Sequence, residues 1–178
     1  MKVKNIEFAN TDKSSVIVSM EDGTTIFASY PCYTGYKYAI KEWLDQGNKI
    51  KTPTKTIAEL KQEKIAEIND AFSADVSAGV SYTFPDGSTD VIQTRPVDQT
   101  NLTTLSVRAT QLKQDGDTTT TMDFRAQSNT TYALTSQEMI DVTNFALGFV
   151  SDLYKKAWGL KDQVNSATDA SELDSINW

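Results

Sequence analysis

The stretch from Thr135 to Val164 is the longest periodic run of the chain, and it restricts the fold more than any other feature. Thr135-Ser136-Gln137-Glu138 reads as a capping box, in which the Thr hydroxyl and the Glu carboxylate each accept a hydrogen bond from the other's backbone N–H. Apolar residues then recur at helical spacing, and a rise of 1.5 Å per residue makes this helix about 40 Å long. They fall on two stripes. Met139, Val142, Ala146, Phe149, Leu153 and Leu160 share one, and Ile140, Leu147, Tyr154 and Trp158 share another. A single small domain rarely buries both, so two readings stand: a central helix wrapped by its own sheet and helices, or a helix that keeps a second face for a partner or an identical chain. On the second reading Ile140, Leu147, Phe149, Tyr154 and Trp158 are the candidate interface residues.

The rest of the chain supplies what such a helix packs against. Val3 to Phe8, Val16 to Met20 and Thr24 to Tyr30 read as strands, with Glu21-Asp22-Gly23 forming a hairpin turn in which Asp and Gly tolerate positive φ. Tyr36, Ala39, Ile40, Trp43 and Leu44 then mark one face of a short helix, which Gly47 can end in the left-handed conformation. After Pro53, Thr56-Ile57-Ala58-Glu59 is a second capping box, opening a helix that carries Ile57, Leu60, Ile65, Ile68 and Phe72 towards Gly79. Val80 to Phe84 and Val91 to Thr94 flank Pro85-Asp86-Gly87-Ser88 as a second hairpin. From Asp98, read as an N-cap, helical spacing runs through Leu102, Leu105, Ala109 and Leu112 to Gly116. Thr118 to Arg125 and Thr130 to Leu134, separated by Gln127-Ser128-Asn129, make a third strand pair. Asp169 to Glu172 caps a last short helix with Leu173 and Ile176. The fold class expected is therefore α+β: a small N-terminal β-meander with one helix, then a helix, hairpin, helix, strand pair and long helix.

Charge divides the chain. Residues 1–55 hold eight basic and six acidic side chains, whereas residues 56–178 hold nine basic and eighteen acidic, so the net values are +2 and −9. With a Pro inside the Thr52-Pro53-Thr54-Lys55 run, this points to a β-rich module over residues 1–50, a linker over 51–56 and an acidic domain over 57–178. About fifty residues are marginal for independent stability, which leaves the first module to pack on the rest of the chain or on a neighbour. Phosphate binding needs clustered Lys and Arg, and with only Arg95, Arg108 and Arg125 in the whole chain, nucleic acid is not expected as a partner.

The absence of His removes whole classes of chemistry, because there can be no Ser-His-Asp triad, no Cys-His pair and no His-ligated metal. Cys32 stands alone, so an intrachain disulfide is excluded and a reducing cytoplasm fits, although a disulfide to another chain stays open. Neither a signal peptide nor a membrane span is expected, since the first residues run straight into alternation and no apolar stretch exceeds Phe145 to Val150.

Three constellations have chemical as well as structural readings. Asp115-Gly116-Asp117 looks like a piece of a calcium loop but lacks its other ligands, and a helix C-cap explains it equally. Asp86 and Asp90 flank a turn at the nearest approach to a glycosidase carboxylate pair, and turn chemistry accounts for Asp before Gly. Arg95 and Arg125 each follow a strand, where a guanidinium binds an anion, locks a subunit contact or pairs with an acid of its own chain. No glycine-rich phosphate loop occurs. No catalytic, cofactor-binding or metal-ligating residue is assigned, and no cofactor is expected.

One ordered set of short motifs goes further. It comprises Gly79-Val80, Phe84-Pro85-Asp86-Gly87, Ile92-Gln93-Thr94-Arg95, Asp98, Asn101-Leu102, Phe124-Arg125-Ala126, Asn129, Leu134-Thr135 and Glu138-Met139, continuing with Leu153-Tyr154, Ala157-Trp158, Leu160-Lys161, Leu173 and Ile176. Over about residues 57–178 it resembles an uncharacterised domain recurrent in tail, tail-fibre and tail-fibre-assembly proteins of tailed bacteriophages. The resemblance implies no residue roles. It implies first a virion structural protein of the tail, baseplate or fibre attachment region, made in the host cytoplasm and acting by protein–protein contact with other tail, baseplate or fibre proteins. A homo-oligomer is expected, with a trimer preferred. The alternative is an assembly chaperone absent from the virion, and the remotest reading is an enzyme acting on glycan.

Overall fold

The computed structural model describes residues 2–10, 12–31, 35–53 and 55–178; Cys32 lies outside them. The protein is α+β, and it divides into two compact units, residues 1–56 and 57–178.

In the first unit β1 (Val3–Phe8), β2 (Ser15–Met20) and β3 (Thr25–Ser29) form an antiparallel meander in the order β1-β2-β3. Its second turn closes as the sequence dictates: Asp22 Oδ1 accepts from Thr24 N–H at 2.9 Å, and Gly23 takes a φ of +88°. Alternation turns Ile6, Phe8, Val16, Val18 and Met20 inward, and α1 (Lys37–Asp45) covers them with Ile40, aided by Trp43 and Leu44. Gly47 ends α1 with a φ of +85°. Lys51 accepts from Phe8 N–H at 2.9 Å and donates to Ile6 C=O at 3.0 Å. The beginning of the expected linker is thus part of the first unit's sheet edge.

The second unit is built on α4 (Ser136–Ser166), whose 31 residues extend about 46 Å. Thr135 caps it: the Thr135 Oγ1 accepts from Glu138 N–H, and Glu138 Oε2 accepts from Thr135 N–H at 2.8 Å. Its buried residues, from Met139 and Val142 through Ala146, Val150 and Leu153 to Ala157 and Val164, follow one continuous stripe. What covers the stripe changes along its length. The first half meets α3 (Pro96–Gln114) and two hairpins, β4 (Val80–Thr83) with β5 (Thr89–Ile92) and β6 (Thr121–Arg125) with β7 (Thr131–Thr135), around Phe84, Ile92, Leu102 and Leu134. The second half meets α2 (Ile57–Ala78) and α5 (Ala170–Asp174), with Ile68, Leu173 and Ile176 around Ala157 and Val164. One helix therefore runs through two cores. Each fully buried large aliphatic side chain contributes about 1.5–3 kcal/mol.

Local chemistry fixes the joints. Gly79 links α2 to β4 at a φ of +80°, and a Cβ there would lie 2.4 Å from the Ile92 carbonyl oxygen, so no side chain fits. Thr94 is fully buried and donates through Oγ1 to the Val76 carbonyl at 2.7 Å, satisfying an end group of α2. Trp178 Nε1 donates to Asp75 Oδ2 at 2.8 Å, which ties the last residue to the same helix.

Several boundaries differ from those expected, most by a residue, and three of the differences have a local cause. Asp98 is not the N-cap of α3: Pro96 occupies the first helical turn, Arg95 is the cap, and the Asp98 carboxylate reaches back to Arg95 N–H at 3.1 Å. β6 begins at Thr121 and not Thr118, because Asp117 takes the N–H groups of Thr119 and Thr120 at 3.0 and 2.9 Å and holds that segment in a turn. β5 spans Thr89–Ile92 instead of Val91–Thr94, since the three-residue turn Pro85-Asp86-Gly87 pairs Phe84 N–H with Ser88 C=O and Thr94 is drawn under α2.

Candidate interaction surfaces

The long helix does not present the two clean stripes expected. Ile140 and Leu147 pack against the hairpin core, and Phe149 is half-buried. Further along, Tyr154 and Trp158 are 42% and 60% exposed. Their rings lie 5.8 Å apart, and Tyr154 also meets Phe72 of α2 at 4.7 Å, so the two form an aromatic ledge anchored on one side. Phe145, absent from the expected set, is 45% exposed and rests against Tyr82 at 5.1 Å. Phe145 lies at the margin of the first stripe, three residues after Val142 and four before Phe149, and the sequence reading did not single it out. The sequence did mark Tyr154 and Trp158.

The acids with a chemical reading are all engaged by neighbouring backbone or hydroxyl groups. Asp86 accepts from the Ser88 hydroxyl at 2.7 Å and the Ser88 N–H at 2.9 Å, which lowers its pKa. Asp90 accepts from the Ser128 hydroxyl and, at 3.4 Å, from the Tyr132 hydroxyl, and the Ser128 bond is the main cause of its lowered pKa. Asp117 accepts from the Thr120 hydroxyl at 2.6 Å and from the Thr120 and Thr119 N–H groups, which hold it well below the usual carboxylate range. All three environments favour the ionised form. An acid catalyst at neutral pH needs the opposite shift. Among the described residues no cluster of His, Cys, Asp and Glu has the makings of a metal site.

Asp90 also joins the two hairpins, together with a main-chain bond of 3.0 Å from Gln127 N–H to the Val91 carbonyl. Two residues along from that bond on each chain segment, Gln93 and Arg125 line a cleft of about 220 Å3. Asn101, Asp98, Leu102 and Leu105 of α3 and Phe124 of β6 complete it. Six of these seven residues belong to the motifs that carry the sequence resemblance. The two arginines fare differently. Arg95 is held by Asp98 through Nε at 2.7 Å, as an intrachain pair. Arg125 is exposed, and among the described residues it makes no side-chain hydrogen bond or ion pair.

No described helix is long and apolar enough to cross a membrane. A family model described as a domain of unknown function, DUF4376, matches residues 59–177. No curated protein and no solved structure matches the chain.

Proposed function

We propose that this chain, which belongs to the DUF4376 family, is a structural protein of a tailed-bacteriophage virion, sited in the tail, baseplate or fibre attachment region. It is made in the host cytoplasm, works by contact with other tail proteins and with copies of itself, and carries out no chemistry. The phage setting rests on the resemblance over residues 57–178. Contact as the mode of action is supported above all by the ledge of Tyr154 and Trp158, since large aromatic side chains left half-exposed on a rigid helix are the residues that dominate protein interfaces. The lowered pKa values of Asp86, Asp90 and Asp117 agree with a non-catalytic role. A homo-oligomer, with a trimer preferred, gives the ledge a partner.

Mass analysis of purified virions tests the reading. A structural component is present in fixed copy number. Absence from particles whose assembly nevertheless requires the chain would replace this reading with that of an assembly chaperone.

A further inference from the structure

We propose that the cleft between the two hairpins and the start of α3 binds an extended peptide segment of a partner protein, with a carboxylate of that segment on Arg125. The proposal rests on the reading of the second unit as a protein-contact module and names where one contact is made. Three observations carry it. The cleft's lining includes the buried Leu102 and Phe124 and the half-buried Leu105, together with the side-chain amides of Gln93 and Asn101. Among the described residues neither amide is engaged in a side-chain hydrogen bond. A carboxamide both donates and accepts, which suits the alternating N–H and C=O groups of an extended backbone.

Charge supplies the second observation. The domain holds eighteen acids, yet Arg125 pairs with none of them, whereas Asp98, the acid that lines the cleft, is engaged by Arg95 at 2.7 Å. An unpaired guanidinium in a cleft lined also by apolar side chains fits a planar carboxylate, which it can grip through two parallel hydrogen bonds. Size is the third. At about 220 Å3 the cleft falls below the roughly 300–1,000 Å3 of sites that enclose a small molecule, so it accommodates a side chain or two of a longer ligand.

The test uses the full chain, labelled with 15N, and two acetylated, amidated pentapeptides, Thr-Leu-Asp-Leu-Thr and Thr-Leu-Asn-Leu-Thr, with sodium acetate as a third titrant. The Asp peptide is expected to shift the side-chain amide signals of Gln93 and Asn101 and the Nε signal of Arg125 in a saturable way at millimolar concentration. The Asn peptide is expected to bind about tenfold more weakly, and acetate to leave the amide signals in place. Arg125→Gln should reduce the preference for the Asp peptide to about onefold, and Asn101→Ala should weaken both peptides, each in a protein with an otherwise unchanged spectrum. Equal binding of the two peptides, saturation by acetate alone, shifts confined to other surfaces, or no shift up to 10 mM would each overturn the proposal; the last figure is roughly the ceiling at which a contact of about 3 kcal/mol is still seen. The virion analysis is independent of this titration, so a silent cleft in a chain present in particles removes this contact and leaves the structural role.

Discussion

Asp117 shows how one carboxylate sets both a boundary and a response to acid. By taking the N–H groups of Thr119 and Thr120 it keeps those residues out of β6, and the same bonds favour its ionised form. Its folded pKa lies below the ordinary carboxylate value of about 3.9, as do those of Asp86 and Asp90. A group depressed in this way contributes stability that is complete above the unfolded pKa and is lost as pH falls through the folded one. Urea unfolding should therefore give a midpoint that is flat between about pH 7 and 5 and falls below about pH 4. Asp117→Asn should flatten the acid limb, and a variant that loses as much stability as the parent below pH 4 would show that this turn is not its source. At this scale the sequence was legible where a side chain acts on its own neighbours, as in the Thr135–Glu138 box and the Asp22-Gly23 turn. Asp98 was misread by three residues because Asp serves both at the N-cap and at the third helical position, and only the placement of Pro96 in the first turn decides between them.

For the long helix the ambiguity lay elsewhere. Periodicity stated which residues share a face of α4 but not which elements would arrive to cover it, since that depends on contacts far apart in sequence. α2 precedes α4 by more than fifty residues, yet it covers the second half of the stripe and leaves Tyr154 and Trp158 at its edge. Ile140 and Leu147 were drawn into the hairpin core by the same kind of distant partner. The structure separates residues that hold the fold from residues that stand free of it. Met139, fully buried, should cost about 2–5 kcal/mol on replacement by Ala, because the lost contacts leave a cavity in a packed core. Trp158→Ala should change the stability of dilute, dissociated protein by no more than about 0.5 kcal/mol. Light scattering over a wide concentration range should then show weakened association for Trp158→Ala alone. If wild-type protein stays a monomer at every concentration, the ledge has no partner copy.

Across the whole chain, the shift in net charge from +2 to −9 coincides with the division between residues 1–56 and 57–178. The sequence located the division through charge, the Pro and the capping box that follows. It did not show that Lys51 belongs to the first sheet, because a main-chain bridge to β1 leaves no trace in side-chain pattern. That detail predicts how the chain is cut. Trypsin needs several residues of extended, accessible backbone around the scissile bond, and backbone already held in a sheet edge resists it. Lys51 is held on both sides, through its N–H to Ile6 and its carbonyl to Phe8, and Lys55 is exposed outside any strand or helix. Brief digestion should therefore cut first after Lys55, with cleavage after Lys51 appearing later, and should leave a resistant fragment beginning at Thr56. That fragment contains both cores built on α4 and should keep the helical circular dichroism and cooperative unfolding of the intact domain. The fifty-five residues removed have one small core of their own, and should unfold at much lower denaturant than the fragment. A first cut inside α2 or α4, or a resistant fragment that spans residues 51–56 intact, would mean that the two units do not unfold separately.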